Sequence, residues 1–203
     1  QDKAYAERYV ALVKRVQEVE RKRTPTADGL VLAVAKNAFK LMAYKDEYEV
    51  ARLFSDGTFI KKIKQQFEGD YKIEFNLAPP LISKKDPITG QLKKRTFGPW
   101  MMNAFRLLAK LKVLRGTAFD IFGKTEERKM ERKLIEQYFG LVDMILSNLN
   151  NENQQTAIEL LSLPEQIRGY GHVKEKAVEM VKSKERQLLE RFNNPELSRT
   201  AAE

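Results

Sequence analysis

The spacing of apolar side chains is the feature that most restricts how this chain can fold. Over most of the sequence they recur every three to four positions, as in an amphipathic α-helix. Between Tyr71 and Leu77 the spacing changes to two, because Tyr71, Ile73, Phe75 and Leu77 alternate with polar residues. This alternation places one apolar row on one face of a β-strand. The sequence therefore predicts a mainly helical chain interrupted by a short β segment.

Local start and stop signals bound the predicted helices. Asp46 stands where its carboxylate can cap the helix that follows, and Thr125 precedes two acids that favour the first turn of a helix. Thr24-Pro25 and Pro164 mark corners, because proline does not continue a helix. Together with the apolar spacing, these signals predict helices over about 5–23, 30–43, 46–54, 59–67, 98–114, 125–149, 152–163 and 173–192.

The β segment is predicted to be a small antiparallel ribbon over about residues 70–97. Pro79-Pro80 ends its first strand, and the turn composition of residues 86–90 separates two further extended segments, 81–85 and 92–97. Lysines on such strands also discourage edge-to-edge pairing between molecules. The charge of the ribbon therefore has an explanation that needs no ligand.

The helix after the ribbon is apolar on nearly every side and is predicted to be a buried central helix. It begins after Gly98-Pro99, and we expect Trp100 to lie in the core. Asn103, Arg106 and Lys110 form its one polar stripe, at a spacing of three to four positions. Neighbouring helices are expected to surround it except along this basic edge.

Length and composition favour one globular domain. A chain of 203 residues with 42% hydrophobic and 32% charged side chains can bury a substantial core. No apolar run approaches the roughly 18 residues of a membrane span, so we expect no membrane association. We predict a single helical domain over 1–195 and a flexible tail over 196–203. Because Gln1 opens directly into an amphipathic stretch, we expect a piece of a longer protein.

The residue types exclude several kinds of site. Cysteine is absent, which rules out disulfides, thiolate zinc sites, cysteine nucleophiles and any iron–sulfur cluster held by this segment. His172 is the sole histidine, so a hydrolase triad would need it as the base, and no Gly-x-Ser-x-Gly motif supports such a site. Asp46, Glu47 and Glu49 are interpreted as the start of a helix rather than as metal ligands. We predict no catalytic, cofactor-binding or metal-binding residue in this segment, and the residues leave open whether it belongs to an enzyme.

Most of the net charge of +9 is concentrated in one segment. Nine basic residues and one acid, Asp86, lie between Lys84 and Arg115, so this segment carries a charge of +8. Such a field speeds encounter with acidic proteins, phosphates or nucleic acid, although a solvated surface explains it as well. The candidate partner-binding residues are Lys84, Lys85, Lys93, Lys94, Arg95, Arg106 and Lys110.

A second candidate is the corner from Leu163 to Lys174. Two glycines flank Tyr170 and permit positive φ, while Arg168 and His172 supply hydrogen-bond donors on either side. Arg168, Tyr170 and His172 form either a binding contact or a turn whose polar side chains hold neighbouring backbone groups. The sequence does not decide between them.

A basic nucleic-acid- or phosphate-binding module is the alternative to a protein-docking domain. It would need exposed aromatic rings for stacking, or a known recognition module, beside the charge. The nearby rings of Phe97, Trp100 and Phe105 are expected to pack in the core, and neither a zinc finger nor a ribonucleoprotein motif is present. The sequence therefore favours this alternative less.

Five stretches carry a resemblance to a known family. They are Leu41–Leu53, Phe67–Asp70 with Leu77–Leu81, Phe97–Met101, Leu114–Asp120 and Leu163–Lys174. Taken in this order, they resemble the C-terminal domain of the fused indolepyruvate ferredoxin oxidoreductases. The resemblance extends over about Tyr5 to Phe192, which is nearly the whole chain.

The resemblance implies a large cytoplasmic parent enzyme. In that family thiamine diphosphate attacks a 2-oxoacid, carbon dioxide leaves, coenzyme A takes the acyl group, and iron–sulfur clusters pass electrons to ferredoxin. Thiamine diphosphate, magnesium, iron–sulfur clusters and the substrate coenzyme A are therefore implied for the parent. This segment contains neither a Gly-Asp-Gly thiamine signature nor cysteine, so the resemblance places it beside the catalytic machinery.

For this segment the resemblance implies a non-catalytic accessory domain. Its own role in the family is undefined: it would support assembly of the catalytic core or of the subunits, or it would dock acidic ferredoxin through the basic segment. The expected partners are the catalytic domains of the same polypeptide, ferredoxin, and a second copy of the chain in a homo-oligomer.

Overall fold

A computed structural model of the chain describes residues 2–25, 27–44, 46–79, 83, 93–169 and 171–194. These residues form eight α-helices and one antiparallel pair of short strands. The elements are α1 (Lys3–Arg23), α2 (Leu30–Met42), α3 (Glu47–Ser55), α4 (Thr58–Gln66), β1 (Phe75–Leu77), β2 (Arg95–Phe97), α5 (Met101–Lys110), α6 (Glu126–Asn148), α7 (Gln154–Ser162) and α8 (His172–Asn193). Short 3₁₀ turns, Leu111–Leu114 and Leu163–Gln166, follow α5 and α7 directly. The predicted fold class, mainly α with a small antiparallel ribbon, is confirmed.

The chain divides into two compact units. The terminal unit comprises Gln1–Tyr44 with Met130–Glu203, and the middle unit comprises Lys45–Lys129. That residues 1–195 fold as a single domain stays a prediction. The tail expected over 196–203 lies outside the described residues. No helix in the described ranges combines the length and the apolar character needed to cross a membrane.

The core of the terminal unit is built from the inward stripes of its helices. Its fully buried side chains include Val16 of α1, Val34 of α2, Ile145 of α6 and Leu160 of α7. Tyr138 is also buried, and its hydroxyl donates to the main-chain oxygen of Leu161 at 2.9 Å. This bond satisfies a polar group that would otherwise be stranded among apolar atoms.

A buried carboxylate starts α2. Gly29 precedes the helix at φ 109° and provides no side-chain cap, so the first main-chain N–H groups need another acceptor. Glu20 of α1 supplies it: its Oε1 accepts from Leu30 N at 2.7 Å, and its Oε2 accepts from Val31 N at 3.2 Å. Glu20 therefore acts as a long-range cap and places negative charge at the positive end of the helix.

The core of the middle unit is small and aromatic. Ala51, Phe75, Met101 and Phe105 are its buried members. The ring of Phe105 stacks on that of Phe54 with 5.2 Å between centroids, and it meets the ring of Phe75 edge to face at the same separation. These contacts attach α5 to both α3 and β1.

The ribbon is shorter than the alternation of residues predicted. The alternation begins at Tyr71, whereas β1 runs over Phe75–Leu77 and pairs with Arg95–Phe97 in the register Phe75 to Phe97. Tyr71 is 40% exposed, so the alternating pattern extends beyond the segment that is paired. Of the predicted middle arm and turn, residues 81, 82 and 84–92 lie outside the described residues.

The helix expected to be buried on nearly all sides is buried on one side. Met101 and Phe105, four positions apart, take the inward positions of α5. Trp100 is 60% exposed and Leu107 is 61% exposed, so the prediction that Trp100 lies in the core is wrong. Trp100 precedes the first turn of α5, and its ring lies edge to face against Phe97 at 5.9 Å between centroids. Met101 and Phe105 occupy the inward side of α5, so Trp100 lies outside the core.

Candidate functional site

The basic residues predicted to bind a partner are exposed wherever the structure describes them. Lys93, Lys94, Arg95, Arg106 and Lys110 all have exposed side chains. Lys84 and Lys85 lie outside the described residues. The sequence did not show whether this segment faces solvent, and for these five residues the structure shows that it does.

Part of the segment's charge serves the interior of the middle unit. The guanidinium of Arg115 pairs with the carboxylate of Asp46, and the two side chains are 15% and 10% exposed. Lys112 is half-buried and helps to lower the pKa of Glu49, after the larger effect of the hydrogen bond from Arg52. The field available to a partner therefore comes chiefly from residues 93–110.

The exposed side of α5 is divided lengthwise into a basic half and an apolar half. Successive helical residues are turned by about 100°, which places Asn103, Arg106 and Lys110 in one row and Trp100 and Leu107 in a row beside it. Leu111, directly after the helix, extends the apolar row and is 38% exposed. Arg106 Nη1 donates to Asn103 Oδ1 at 2.9 Å, which steadies the basic row. We call these six residues the α5 face.

The helix that carries the α5 face is packed against the core of the middle unit. On the opposite side of the same helix, Met101 and Phe105 are 8% and 6% exposed and belong to the aromatic core. A surface carried by a packed helix loses little conformational freedom when a partner binds, because its backbone is already ordered. The geometry therefore suits recognition without rearrangement.

Other apolar side chains of the middle unit are also exposed. After α5, Val113 is 80% exposed, Phe119 is 74% exposed and Ile121 is 51% exposed. Large apolar side chains that stay in water on a folded chain often mark a surface for another protein. The middle unit therefore has exposed apolar surface beyond the α5 face.

A buried polar cluster holds the loop that follows α5. Asp120 is 6% exposed, and its carboxylate accepts from the N–H groups of Gly116 and Gly123, both at 2.9 Å. Tyr48 Oη donates to the same carboxylate at 3.3 Å. A Cβ on Gly123 would lie 2.3 Å from Asp120 Oδ2, so the loop depends on glycine there. The cluster brings together two stretches of the resemblance, 41–53 and 114–120, in a structural role.

The electrostatics of this cluster do not suit proton transfer near neutral pH. Burial, followed by the nearby charge of Asp120, raises the pKa of Tyr48 to about 12. The hydroxyl therefore stays protonated and acts as a hydrogen-bond donor. Its function is to hold the loop.

The carboxylates near the start of α3 begin a helix, as predicted. Asp46 Oδ1 accepts from Tyr48 N at 2.9 Å and from Glu49 N at 3.3 Å. Glu49 is bound by Arg52, whose Nη2 lies 2.7 Å from Glu49 Oε1. In the part of the chain that the structure describes, no group of three or more histidine, aspartate or glutamate side chains is placed to hold a metal ion.

The predicted functional corner is tied to α2 by lysines. Lys40 Nζ donates to the main-chain oxygens of Pro164 and Glu165 at 2.8 and 3.0 Å, and Lys36 pairs with the Glu165 carboxylate at 2.7 Å. Burial, followed by repulsion from Arg168, lowers the pKa of Lys40. These contacts satisfy carbonyl groups at the end of a 3₁₀ turn.

Of the three candidate residues at this corner, Arg168 and His172 are described by the structure. Arg168 Nε donates to the main-chain oxygen of Glu165 at 3.2 Å, and His172 is exposed at the first position of α8. Tyr170 lies outside the described residues. Gly169 has φ 91°, and a Cβ there would lie 2.6 Å from Val173 Cγ1. For Arg168 these contacts agree with a turn that holds backbone groups; whether the corner also binds a ligand stays a prediction.

Sequence reasoning did not find the apolar half of the α5 face. The signal was present, because Trp100, Leu107 and Leu111 recur seven and four positions apart. It was hidden because α5 also carries apolar residues on its inward side, so the pattern alone does not say which row faces solvent.

The chain belongs to a family of unknown function, DUF6537, whose family model matches residues 1–187. No curated protein matches the chain. No solved structure matches it either.

Proposed function

We propose that this DUF6537 chain is a non-catalytic docking domain that binds an acidic protein through the α5 face. The observation that carries the proposal is the division of that face into a basic row and an apolar row on one fixed helix. Lys93, Lys94 and Arg95, exposed in the same unit, add to the attraction.

The two rows supply different parts of the binding energy. Basic side chains at a surface speed encounter and select an acidic partner, but they add little affinity while they remain solvated. Apolar side chains contribute about 25 cal/mol for each Å² that they bury. Tryptophan and arginine are enriched among the residues whose truncation costs the most binding energy. Trp100 beside Arg106 is therefore the expected centre of the interface.

The sequence resemblance supports ferredoxin as the acidic partner. In an indolepyruvate ferredoxin oxidoreductase it would be ferredoxin, and this chain would lie beside the catalytic domains of the same cytoplasmic polypeptide. Thiamine diphosphate, magnesium, the iron–sulfur clusters and coenzyme A would be bound by those domains. The exposed apolar side chains outside the α5 face, such as Phe119, would support assembly with them or with a second copy of the chain.

A nucleic-acid- or phosphate-binding module is the second candidate. One observation favours it more than the sequence did: Trp100 is exposed beside a basic row, and an exposed aromatic ring near positive charge can stack on a base. The same residues would then contact phosphates and bases instead of carboxylates.

Competition at matched ionic strength separates the two candidates. The chain is titrated with a [2Fe–2S] or [4Fe–4S] ferredoxin and with a single-stranded oligonucleotide, each in the presence of the other. We expect ferredoxin to bind at low salt, to weaken as salt rises, and to resist displacement by the oligonucleotide. Displacement of ferredoxin at equal charge concentration would favour the nucleic-acid candidate, and binding of neither would contradict both.

Charge reversal locates the surface. Arg106→Glu with Lys110→Glu should weaken ferredoxin binding roughly tenfold or more, because it replaces attraction by repulsion at the centre of the interface. Lys61→Glu with Lys62→Glu is the matched control, since both lysines are exposed on α4 of the same unit and the change in charge is the same. Equal effects of the double variant and of the control would show that only overall charge matters, which would overturn the proposal.

A further inference from the structure

A cleft of about 450 Å³ lies in the terminal unit. Leu134 and Leu141 of α6 face Val178 and Val181 of α8 across it, and Ile167 contributes to its lining. Sites for small organic molecules have volumes of roughly 300–1,000 Å³ and mainly apolar walls. The cleft has the size and the surface to hold the apolar part of a small molecule.

One carboxylate stands among these apolar side chains. Glu185 lies on the inward row of α8, four positions after Val181 and seven before Phe192, and it lines the cleft. Burial raises the pKa of its carboxyl against the opposing effect of Lys182. Within the described ranges it has no hydrogen bond or ion pair. A carboxylate that is partly removed from water without a partner is unfavourable until a cation reaches it.

Two cations line the same cleft. Lys182 and Arg186 are exposed and four positions apart on α8, which places them on the same side of the helix. Gln137 of α6 adds an amide to the lining. The cleft thus presents a negative group and a positive pair beside an apolar surface.

We propose that this cleft binds a free α-amino acid with an apolar side chain. The ammonium group pairs with Glu185, the carboxylate pairs with Arg186 and Lys182, and the side chain packs between α6 and α8. The cleft is in the terminal unit and the α5 face is in the middle unit, so this inference does not depend on the proposed docking function.

Ligands with a single charge fit less well. An apolar acid would bring its carboxylate close to Glu185, which is a like-charge contact in a partly dry place. An apolar amine would leave Arg186 and Lys182 without a partner and would be repelled by them. A zwitterion matches both signs, and guanidinium and carboxylate form paired hydrogen bonds well.

Isothermal titration of the chain tests the proposal with three probes that differ by one group. They are L-phenylalanine, phenethylamine, which lacks the carboxylate, and 3-phenylpropionate, which lacks the ammonium group. We expect L-phenylalanine to bind, and we expect the affinity of each analogue to be lower by roughly tenfold or more. No heat with L-phenylalanine at millimolar concentration, or equal binding of either analogue, would overturn it.

Matched variants place the ligand in the cleft. Glu185→Gln should weaken the binding of L-phenylalanine about tenfold, because it removes the contact with the ammonium group. The binding of 3-phenylpropionate, which has no ammonium group, should not become weaker. Arg186→Gln with Lys182→Gln should weaken the binding of L-phenylalanine. The binding of phenethylamine, which has no carboxylate, should not become weaker. Glu179→Gln is the control, since Glu179 is exposed on α8 and does not line the cleft. Retained affinity in both cleft variants, with far-ultraviolet circular dichroism unchanged, would show that the ligand binds elsewhere.

Discussion

The two units of this chain bury their apolar side chains to very different extents. Among the described residues, the main cluster of the terminal unit has 18 buried members, whereas that of the middle unit has four. Large apolar side chains that stay exposed show the reverse, nine in the middle unit and five in the terminal unit. The terminal unit uses its apolar residues to hold itself together, and the middle unit leaves many of them exposed.

The polar interiors of the units differ in the same direction. In the terminal unit, buried Glu20 caps a neighbouring helix and Tyr138 donates to a main-chain oxygen. In the middle unit, buried Asp120 accepts from Tyr48 and from a main-chain N–H of the loop, so it holds a loop rather than a helix end. A small core that depends on a polar loop anchor is expected to be the less stable of the two.

The largest expected effect follows from truncating the middle core. Phe105→Ala removes a ring that contacts Phe54 and Phe75, and it should cost about 3–5 kcal/mol of unfolding free energy. Because that unit has few other buried side chains, hydrogen exchange should show its protection lost while α1 and α7 stay protected. Leu107→Ala, on the exposed side of the same helix, is the control and should change exchange little. Loss of protection in both units at once would contradict the difference between them.

The next effect is expected at alkaline pH, through Tyr48 of the middle unit. The pKa of Tyr48 is raised to about 12 in the folded chain, so the folded state holds this proton more tightly than the unfolded state does. Its contribution to stability is therefore complete below the ordinary pKa of tyrosine, about 10, and is lost as pH rises toward 12. Unfolding followed by circular dichroism against pH should move to higher pH in Tyr48→Phe.

The neutral-pH cost of Tyr48→Phe should be about 1 kcal/mol, for the lost hydrogen bond to Asp120. Tyr71→Phe is the control, because Tyr71 is 40% exposed in the same unit. An alkaline transition that responds equally to both variants would show that burial of Tyr48 does not govern it.

An effect of comparable size is expected from the cap of α2. Glu20→Ala removes the acceptor of Leu30 N and Val31 N, and it should lower the unfolding free energy of the terminal unit by about 1–2 kcal/mol. Urea denaturation measures this loss, and Glu18→Ala, on the exposed side of α1, serves as control. A change within experimental error for Glu20→Ala would mean that water replaces the cap.

A stabilising change is expected within α6. Gly140 is exposed, and a Cβ there would meet no atom within 4 Å. Gly140→Ala should therefore raise the unfolding free energy by about 0.5–1 kcal/mol, because alanine loses less conformational entropy in a helix. A lower thermal midpoint would indicate that this position needs glycine for a close contact made elsewhere.

The smallest effect on folding, and the sharpest contrast with Phe105, is expected at Trp100. Trp100→Ala should change the unfolding free energy by less than about 0.5 kcal/mol because the ring is largely in water. It should nonetheless weaken binding of an acidic protein by about 2 kcal/mol or more if Trp100 is the centre of the interface. A large loss of stability would place the ring in the core after all.

Local signals made the helices predictable. Asp46 and Thr125 were identified as caps from the sequence, and both accept from N–H groups of the helices that follow them. Such bonds join residues two or three positions apart, so the information lies within one turn of the chain. The start of α2 was not predictable in this way, because its cap comes from Glu20, ten residues earlier on another helix.

The α5 face and the cleft depend on tertiary packing. A helix with apolar residues on nearly every side does not show which row will be buried, so Trp100 was placed in the core and is exposed. The apolar spacing of α8 marks Val181 and Phe192, but no local signal marks Glu185 between them, because the cleft that it lines is formed by residues of several elements. The basic residues were visible in the sequence from their density alone, and the five that the structure describes are exposed. That they bind a partner stays a prediction.

Mapping the bound surface residue by residue tests the central claim most directly. The ¹⁵N-labelled chain is titrated with ferredoxin at low ionic strength, and the amide shifts of α5 are compared with those of α8. The docking account predicts changes concentrated at Trp100, Asn103, Arg106, Leu107 and Lys110, with the amides of α8 unchanged. Changes centred on α8, or no change at concentrations that saturate binding, would contradict it.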